Sequence, residues 1–229
     1  MQFIYRNFCY SVIDSTKLIV SVGNTSNPSS PNAIYSSYAS SIVISQFVYQ
    51  ENKKYEVVEI AENAFRGCNI TKHIVIPSSI IAIRKGCFDS MFSVETFVIK
   101  GGSRLETIEI FALSRLYGLK TLVLPYTVSS IADESLACLI NLIDLYICGS
   151  VEVTNDVFRD YIEADKTNPS LRIHVPRTYK GIRFGNRTNL ANDDYSSMCV
   201  FSSEHSCKPK SNRMNSIALS MIAVILASI

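Results

Sequence analysis

One short phrase, an apolar residue followed five positions later by Phe or Leu, returns five times along this chain. It occurs as Ile60–Phe65, Ile83–Phe88, Ile108–Leu113, Ile131–Leu136 and Val153–Phe158, with starts 23, 25, 23 and 22 residues apart. A fixed period of this size marks a solenoid. A single unit is too small to bury its own apolar face, so neighbouring units stack and share one continuous core.

A second phrase keeps step with the first. Eleven residues after each of the first four Phe or Leu anchors, a short run of period two ends: Ile74-Val75-Ile76, Phe97-Val98-Ile99, Leu122-Val123-Leu124 and Leu145-Tyr146-Ile147. A fifth run, Ile173-His174-Val175, comes 17 residues after Phe158, so the last coil carries an insertion of six, placed around residues 164–169. Side chains alternate across a strand. The outer residues of each run therefore fill the interior with the Phe/Leu anchors opposite them, and burying each is worth roughly 1.5–3 kcal/mol. Pro77, Pro125 and Pro176 directly follow three of the runs, where a missing N–H ends a ladder at little cost.

Outside the repeats the signals change. Phe8–Val12 and Leu18–Val22 alternate around Ile13–Lys17, which reads as a hairpin with a five-residue loop. Such a hairpin would cap the open end of the first coil, as solenoids require. Gly23–Ser41 is a Ser-, Asn- and Pro-rich loop, Ile42-Val43-Ile44 repeats the strand phrase, and Tyr55–Val58 leads into the first full coil. The organisation expected is an N-terminal cap and irregular first repeat (1–59), repeats (60–176), a C-terminal cap and polar stalk (177–215) and a hydrophobic tail (216–229).

The unit Ile60–Cys68 followed by Ile74–Ile80 resembles the BspA-like leucine-rich repeats, which read roughly I-x-x-x-A-F-x-x-C-x-x-L-x-x-I-x-I-P-x-S-V. The match runs from Tyr55 to Pro176 and loosens toward the C-terminus. Met91, Leu116, Leu139 and Tyr161 replace the cysteine that Cys68 keeps, and the leucine slot holds Thr71, Val94, Leu119 and Leu142. The resemblance implies a mostly β leucine-rich-repeat solenoid, with short parallel strands on a concave sheet and turns and short strands on the convex side. It also implies a surface or secreted protein, because the family consists largely of such molecules from mucosal bacteria and protist parasites, with adhesion and host contact as usual roles.

Composition agrees with one globular domain: 229 residues, 47% hydrophobic and 18% charged. A net charge of +2 gives no electrostatic case for nucleic acid or for an anionic membrane surface. The seven cysteines form no C-x-x-C pair, which argues against zinc and redox motifs. Most occupy repeat slots, where a thiol behaves as a small buried hydrophobe. Only Cys199 and Cys207, in a polar segment, look free to pair, and only in an oxidising compartment.

The chain ends in 14 uncharged residues, Ser216–Ile229. As a helix these span about 21 Å, short of a bilayer core of about 30 Å. Three readings stay open. The tail is a GPI-attachment signal, with Ser202, Ser203 or Ser206 as acceptor but Glu204 or Lys208 at a position that wants a small residue; or it is a tail anchor, or a buried terminal helix. The N-terminus lacks the basic start and long apolar run of a signal peptide, which pulls toward a cytoplasmic location. Three N-x-[ST] sequons, at Asn24, Asn69 and Asn186, are permissive only.

No nucleophile elbow, zincin, phosphate-loop or dinucleotide motif is present. Gly101-Gly102-Ser103 lacks the lysine and helix start of a phosphate loop and reads as a repeat turn. His73, His174 and His205 fall on two distant strands and the stalk, which makes neither a metal site nor a triad. The chain is expected to be non-catalytic and to need no cofactor or metal. Two roles remain: a membrane-held surface recognition or adhesion protein that binds a protein or host-surface ligand, and an intracellular repeat scaffold. In either, the middle strand residues Val43, Val75, Val98, Val123, Tyr146 and His174 are expected on the exposed concave sheet, flanked by His73, Thr96, Thr121, Asp144 and Arg172. An exposed apolar stripe with a polar border suits an interaction surface, although β-branched residues are favoured on any sheet.

Overall fold

The structure, a computed structural model, describes residues 1–27, 31–34, 40–151, 153, 156–159, 168, 170–185, 187–188, 190–192 and 199. The proposed six-residue insertion, His205, Cys207, the Asn186 sequon and the tail lie outside them, Asn168 of the insertion excepted.

Fifteen strands are found among the described residues. In order they are β1 (Gln2–Tyr5), β2 (Phe8–Asp14), β3 (Ile19–Val22), β4 (Ser41–Val43), β5 (Phe47–Gln50), β6 (Lys53–Ile60), β7 (His73–Ile76), β8 (Ala82–Ile83), β9 (Thr96–Ile99), β10 (Thr107–Ile108), β11 (Thr121–Leu124), β12 (Ser130–Ile131), β13 (Asp144–Ile147), β14 (Arg172–His174) and β15 (Leu190–Ala191). The two repeated phrases become the two sheets of the solenoid.

The alternating runs form the concave side. There β4, β7 and β9 pair in parallel, as do β11, β13, β14 and β15. Equivalent repeat positions meet, with Ile42 beside Ile74 and Ile74 beside Phe97, then Leu122 beside Leu145 and Leu145 beside Ile173. The leading residue of the other phrase forms the back sheet, where β6, β8, β10 and β12 stack Ile60, Ile83, Ile108 and Ile131 in one column.

Between these sheets the coil turns through a third ladder that the sequence does not announce. Phe65 N–H donates to the Cys87 carbonyl, Phe88 to Ala112, Leu113 to Ser135 and Leu136 to Val157, each reaching the following coil. Two left-handed backbone positions recur in the first four coils: Asn63, Gly86, Phe111 and Glu134 at one, Gly67, Ser90, Arg115 and Cys138 at the other. Such φ values cost non-glycine residues roughly 1 kcal/mol or more. Stacking holds them, since Gly67, Ser90 and Arg115 each donate to the next coil's backbone.

The interior matches the repeat pattern. Phe65, Phe88, Leu113 and Leu136 are fully buried, while Phe158 and Ile99 pack against the core from partly exposed positions. Cys68, Met91, Leu116 and Leu139 fill one slot and Thr71, Val94, Leu119 and Leu142 another, all buried. Rings join the coils: Phe65 and Phe88 stack at 5.4 Å, and Phe88 meets Phe97 edge-on at 5.1 Å. Charge is taken inside at Asp89 and at Glu134. Asp89, 1% exposed, accepts from Ser114 Oγ at 2.5 Å and pairs with Arg66 Nε at 3.0 Å and Arg115 Nη2 at 2.8 Å, so it ties three successive coils together.

The N-terminal hairpin is present with modified bounds. β2 and β3 pair antiparallel through residues 15–18, with an irregularity between Val12 and Asp14. Two further hairpins, β1–β2 and β5–β6, turn through Arg6-Asn7 and Glu51-Asn52, all four with positive φ. Because that conformation is normally signalled by Gly, these turns were silent in the sequence. Phe8 packs edge-on to Phe65 at 5.7 Å, which seals the cap onto the first coil.

The concave sheet is not continuous. Among the described residues no backbone hydrogen bond joins β9 to β11, and the two ladders stop at these strands. The break coincides with the 25-residue coil, whose two extra residues fall in the Gly101-Gly102 turn after β9.

The cysteine reading is corrected. Cys148 and Cys199 form a disulfide with a Cα–Cα separation of 5.6 Å. Cys148 directly follows β13 in the slot where other coils carry proline, so it faces outward at the strand end rather than into the core.

Candidate functional site

The concave strands align the expected residues in two registered columns. In one, Ser41 lies beside His73 and His73 beside Thr96; beyond the break, Thr121 lies beside Asp144 and Asp144 beside Arg172. In the other, Val43, Val75 and Val98 follow one another, then Val123, Tyr146 and His174. Their exposure is uneven. Val43 is 38% exposed and Val98, Val123 and Tyr146 are half-buried, but Val75 at 3% and His174 at 8% are buried instead of exposed as expected. The Tyr146 ring and the Asp144 carboxylate cover His174.

The two halves differ in chemistry. On the β4–β9 side the column is aliphatic, bordered by a hydrogen bond of 3.0 Å between His73 Nδ1 and Thr96 Oγ1 and by the exposed Lys72–Glu95 ion pair. On the β11–β15 side the column is aromatic and polar. The His174 imidazole stacks on the Tyr146 ring at 4.3 Å with planes 12° apart. Its Nε2 contacts Asp144 Oδ1 at 2.8 Å, and Arg172 grips the same carboxylate as a fork, Nε to Oδ1 at 2.9 Å and Nη2 to Oδ2 at 3.0 Å. A fork of this kind fixes geometry as well as charge. The sequence placed Asp144, Arg172 and His174 at matching repeat offsets; only the pairing register shows that they bind one another.

The buried cysteines Cys68 and Cys87 are unsuited to nucleophilic chemistry. Burial pushes the Cys68 thiol up to about 11 and the Cys87 thiol well above its usual range, which keeps them from the reactive thiolate. Among the described residues no cluster of three or more His, Cys, Asp or Glu is arranged to hold a metal ion. No described helix is long and apolar enough to cross a membrane. Gly101-Gly102-Ser103 forms a turn, in which Ser103 Oγ accepts from the Leu105 N–H at 3.1 Å.

Stacked parallel strands repeating every 22–25 residues over one shared core define a leucine-rich-repeat solenoid. The chain belongs to the BspA type leucine rich repeat family, whose repeat matches residues 32–163 in six copies. Among solved structures it is similar to the pneumococcal vaccine antigen PcpA, with 22% identity, a TM-score of 0.61 and coverage of 83% of this chain and 48% of that one. It is also similar to the leucine-rich repeat protein of T. pallidum, with 16% identity, a TM-score of 0.54 and coverage of 89% and 98%. A leucine-rich repeat protein from Bacteroides ovatus matches at 15% identity with a TM-score of 0.44, over 80% of this chain and 63% of that one. The chain thus spans about half the length of the pneumococcal antigen and under two thirds of the Bacteroides protein. At these identities the likeness is one of fold. No curated protein matches the chain in sequence.

Proposed function

We propose that the protein is a non-catalytic recognition or adhesion module of the cell surface that binds a protein or host-surface ligand through its concave sheet. The carrying observation is that Val98, Val123 and Tyr146 are half-exposed at the same position of successive repeats, Val123 and Tyr146 as register partners and Val98 across the break, bordered by Thr96, Thr121 and the Asp144–Arg172 fork. Aliphatic and aromatic surface within a polar rim is the composition of a protein-binding patch.

The disulfide favours the outside over the inside of the cell. Disulfides persist in oxidising compartments and are rare in the cytosol, and of the described cysteines outside the disulfide Cys68, Cys87 and Cys138 are buried while Cys9 is half-buried. This weakens the cytoplasmic scaffold reading, which drew on unpaired cysteines and on the N-terminal sequence. Attachment through residues 216–229 completes the proposal.

Replacing Val98, Val123 and Tyr146 together with serine is expected to abolish binding to host cells or matrix while the chain, though less stable, still unfolds in one cooperative urea transition. Unchanged binding would refute the concave face as the site. Surface biotinylation of intact cells is expected to label the protein; labelling only after lysis would restore the scaffold.

A further inference from the structure

The whole-chain charge of +2 conceals a local imbalance. Between Leu171 and Asn192 there are five basic residues and no acidic one. Arg172 is engaged by Asp144. Arg177, Lys180, Arg183 and Arg187 form no ion pair among the described residues, and the first three are exposed.

These cations sit on a built loop. After β14 the chain turns through Pro176, whose carbonyl accepts from the Tyr179 N–H at 2.8 Å; Tyr179 Oη then donates to the Arg183 carbonyl at 2.7 Å. Phe184 is fully buried and exchanges backbone hydrogen bonds with Arg187, and Gly185, with φ +57°, donates to the Val153 carbonyl at 2.8 Å. Gly181 lies flat on the Tyr179 ring, where a Cβ would come within 2.7 Å. With both aromatic side chains turned inward, the residue between Gly181 and Arg183 is driven out. Ile182 is 86% exposed, more than any other large apolar side chain described.

We propose that this loop is a docking point for an anionic phospholipid surface: Arg177, Lys180 and Arg183 meet the headgroups, and Ile182 enters the boundary between headgroups and acyl chains. A polyanion in water would reward the cations alone. An aliphatic tip among cations that form no ion pair with the described residues is the composition of an interfacial membrane contact, where buried apolar area and electrostatic attraction add. Position agrees with this. Cys148 lies two residues beyond Tyr146 and Pro176 two beyond His174, the last registered pair of β13 and β14, so the disulfide holds Cys199 at the strand end from which this loop leaves. The inference deepens the membrane-held reading above, but rests on different residues and fails separately from it.

The test is co-sedimentation of the full chain with phosphatidylcholine vesicles, with and without phosphatidylserine, for the parent, Lys180→Ser/Arg183→Ser and Ile182→Ser. Each cation near such a surface is worth roughly fivefold in partitioning. The parent is therefore expected to bind phosphatidylserine vesicles more tightly and salt-sensitively, the double variant to lose more than about tenfold, and Ile182→Ser to lose affinity while keeping the salt dependence. All three sites are exposed, so equal urea midpoints confirm intact folds. Equal binding to both vesicle types in every variant leaves the tail reading standing and overturns the loop. Phosphatidylserine-dependent binding with none to phosphatidylcholine alone supports the loop and removes the tail. Loss of binding to soluble heparin in the double variant, with Ile182→Ser indistinguishable from the parent on vesicles, assigns the cations to an acidic polymer and overturns the membrane proposal.

Discussion

At the scale of single residues, the repeat pattern separates side chains that look alike in composition but differ in consequence. Phe88 is fully buried, stacked on Phe65 and edge-on to Phe97, so truncating it removes contacts to its own coil and to its neighbours. Phe88→Ala is expected to cost about 3–5 kcal/mol, the range for an aromatic removed from a core. Val98 sits one face away and half-buried, and Val98→Ala is expected to cost less than half as much. Urea melts of the two variants decide it, and equal losses would mean that the inside and outside of β9 are exchanged. Val75 shows where alternation alone fails. It has the same place in its strand as Val98, yet it is buried where Val98 is half-buried; β7 is paired on both sides, by β4 and β9, whereas β9 ends its ladder, and strand parity does not encode this.

At the scale of elements, pairing that lies within the repeat was legible and pairing that crosses out of it was not. Ile74, Phe97, Leu122 and Leu145 took their expected interior places because the eleven-residue offset fixes their position relative to Phe65, Phe88, Leu113 and Leu136. Strand β1 and the β5–β6 hairpin were missed because Arg6-Asn7 and Glu51-Asn52 adopt left-handed turns without glycine. The disulfide was missed because Cys148 occupies a repeat slot while its partner lies 51 residues away, outside the repeats. A cross-link over that separation limits the unfolded chain by up to about 4 kcal/mol in the loop-entropy account. Most of that is expected to act locally. Cys148→Ser should leave the repeats cooperatively folded and speed proteolysis of the chain after β15; a collapse of the whole unfolding transition would instead make the disulfide part of the core.

At the scale of the molecule, stability is a sum of coil–coil interfaces, and the contacts that cross them are unevenly spread. The Asp89 cluster bridges three coils on the back of the solenoid, while the concave ladders stop between β9 and β11. The molecule is held together there by its core and by its back and turn ladders, which continue across the interruption through β8, β10 and β12 and from Phe88 to Ala112. The contacts of this framework named above all lie among the described residues before 200, ahead of the apolar residues 216–229. Removing them is therefore expected to leave the urea transition of the repeats unchanged and to move the protein from the membrane fraction to the soluble or secreted fraction. The mode of attachment separates further. A GPI signal is cleaved, so the mature chain would lack these residues and be released by a phosphatidylinositol-specific phospholipase, whereas a tail anchor would retain them and resist that enzyme. Recovery of the full-length chain as a detergent-free soluble monomer would defeat both modes and assign the apolar residues to a buried terminal helix.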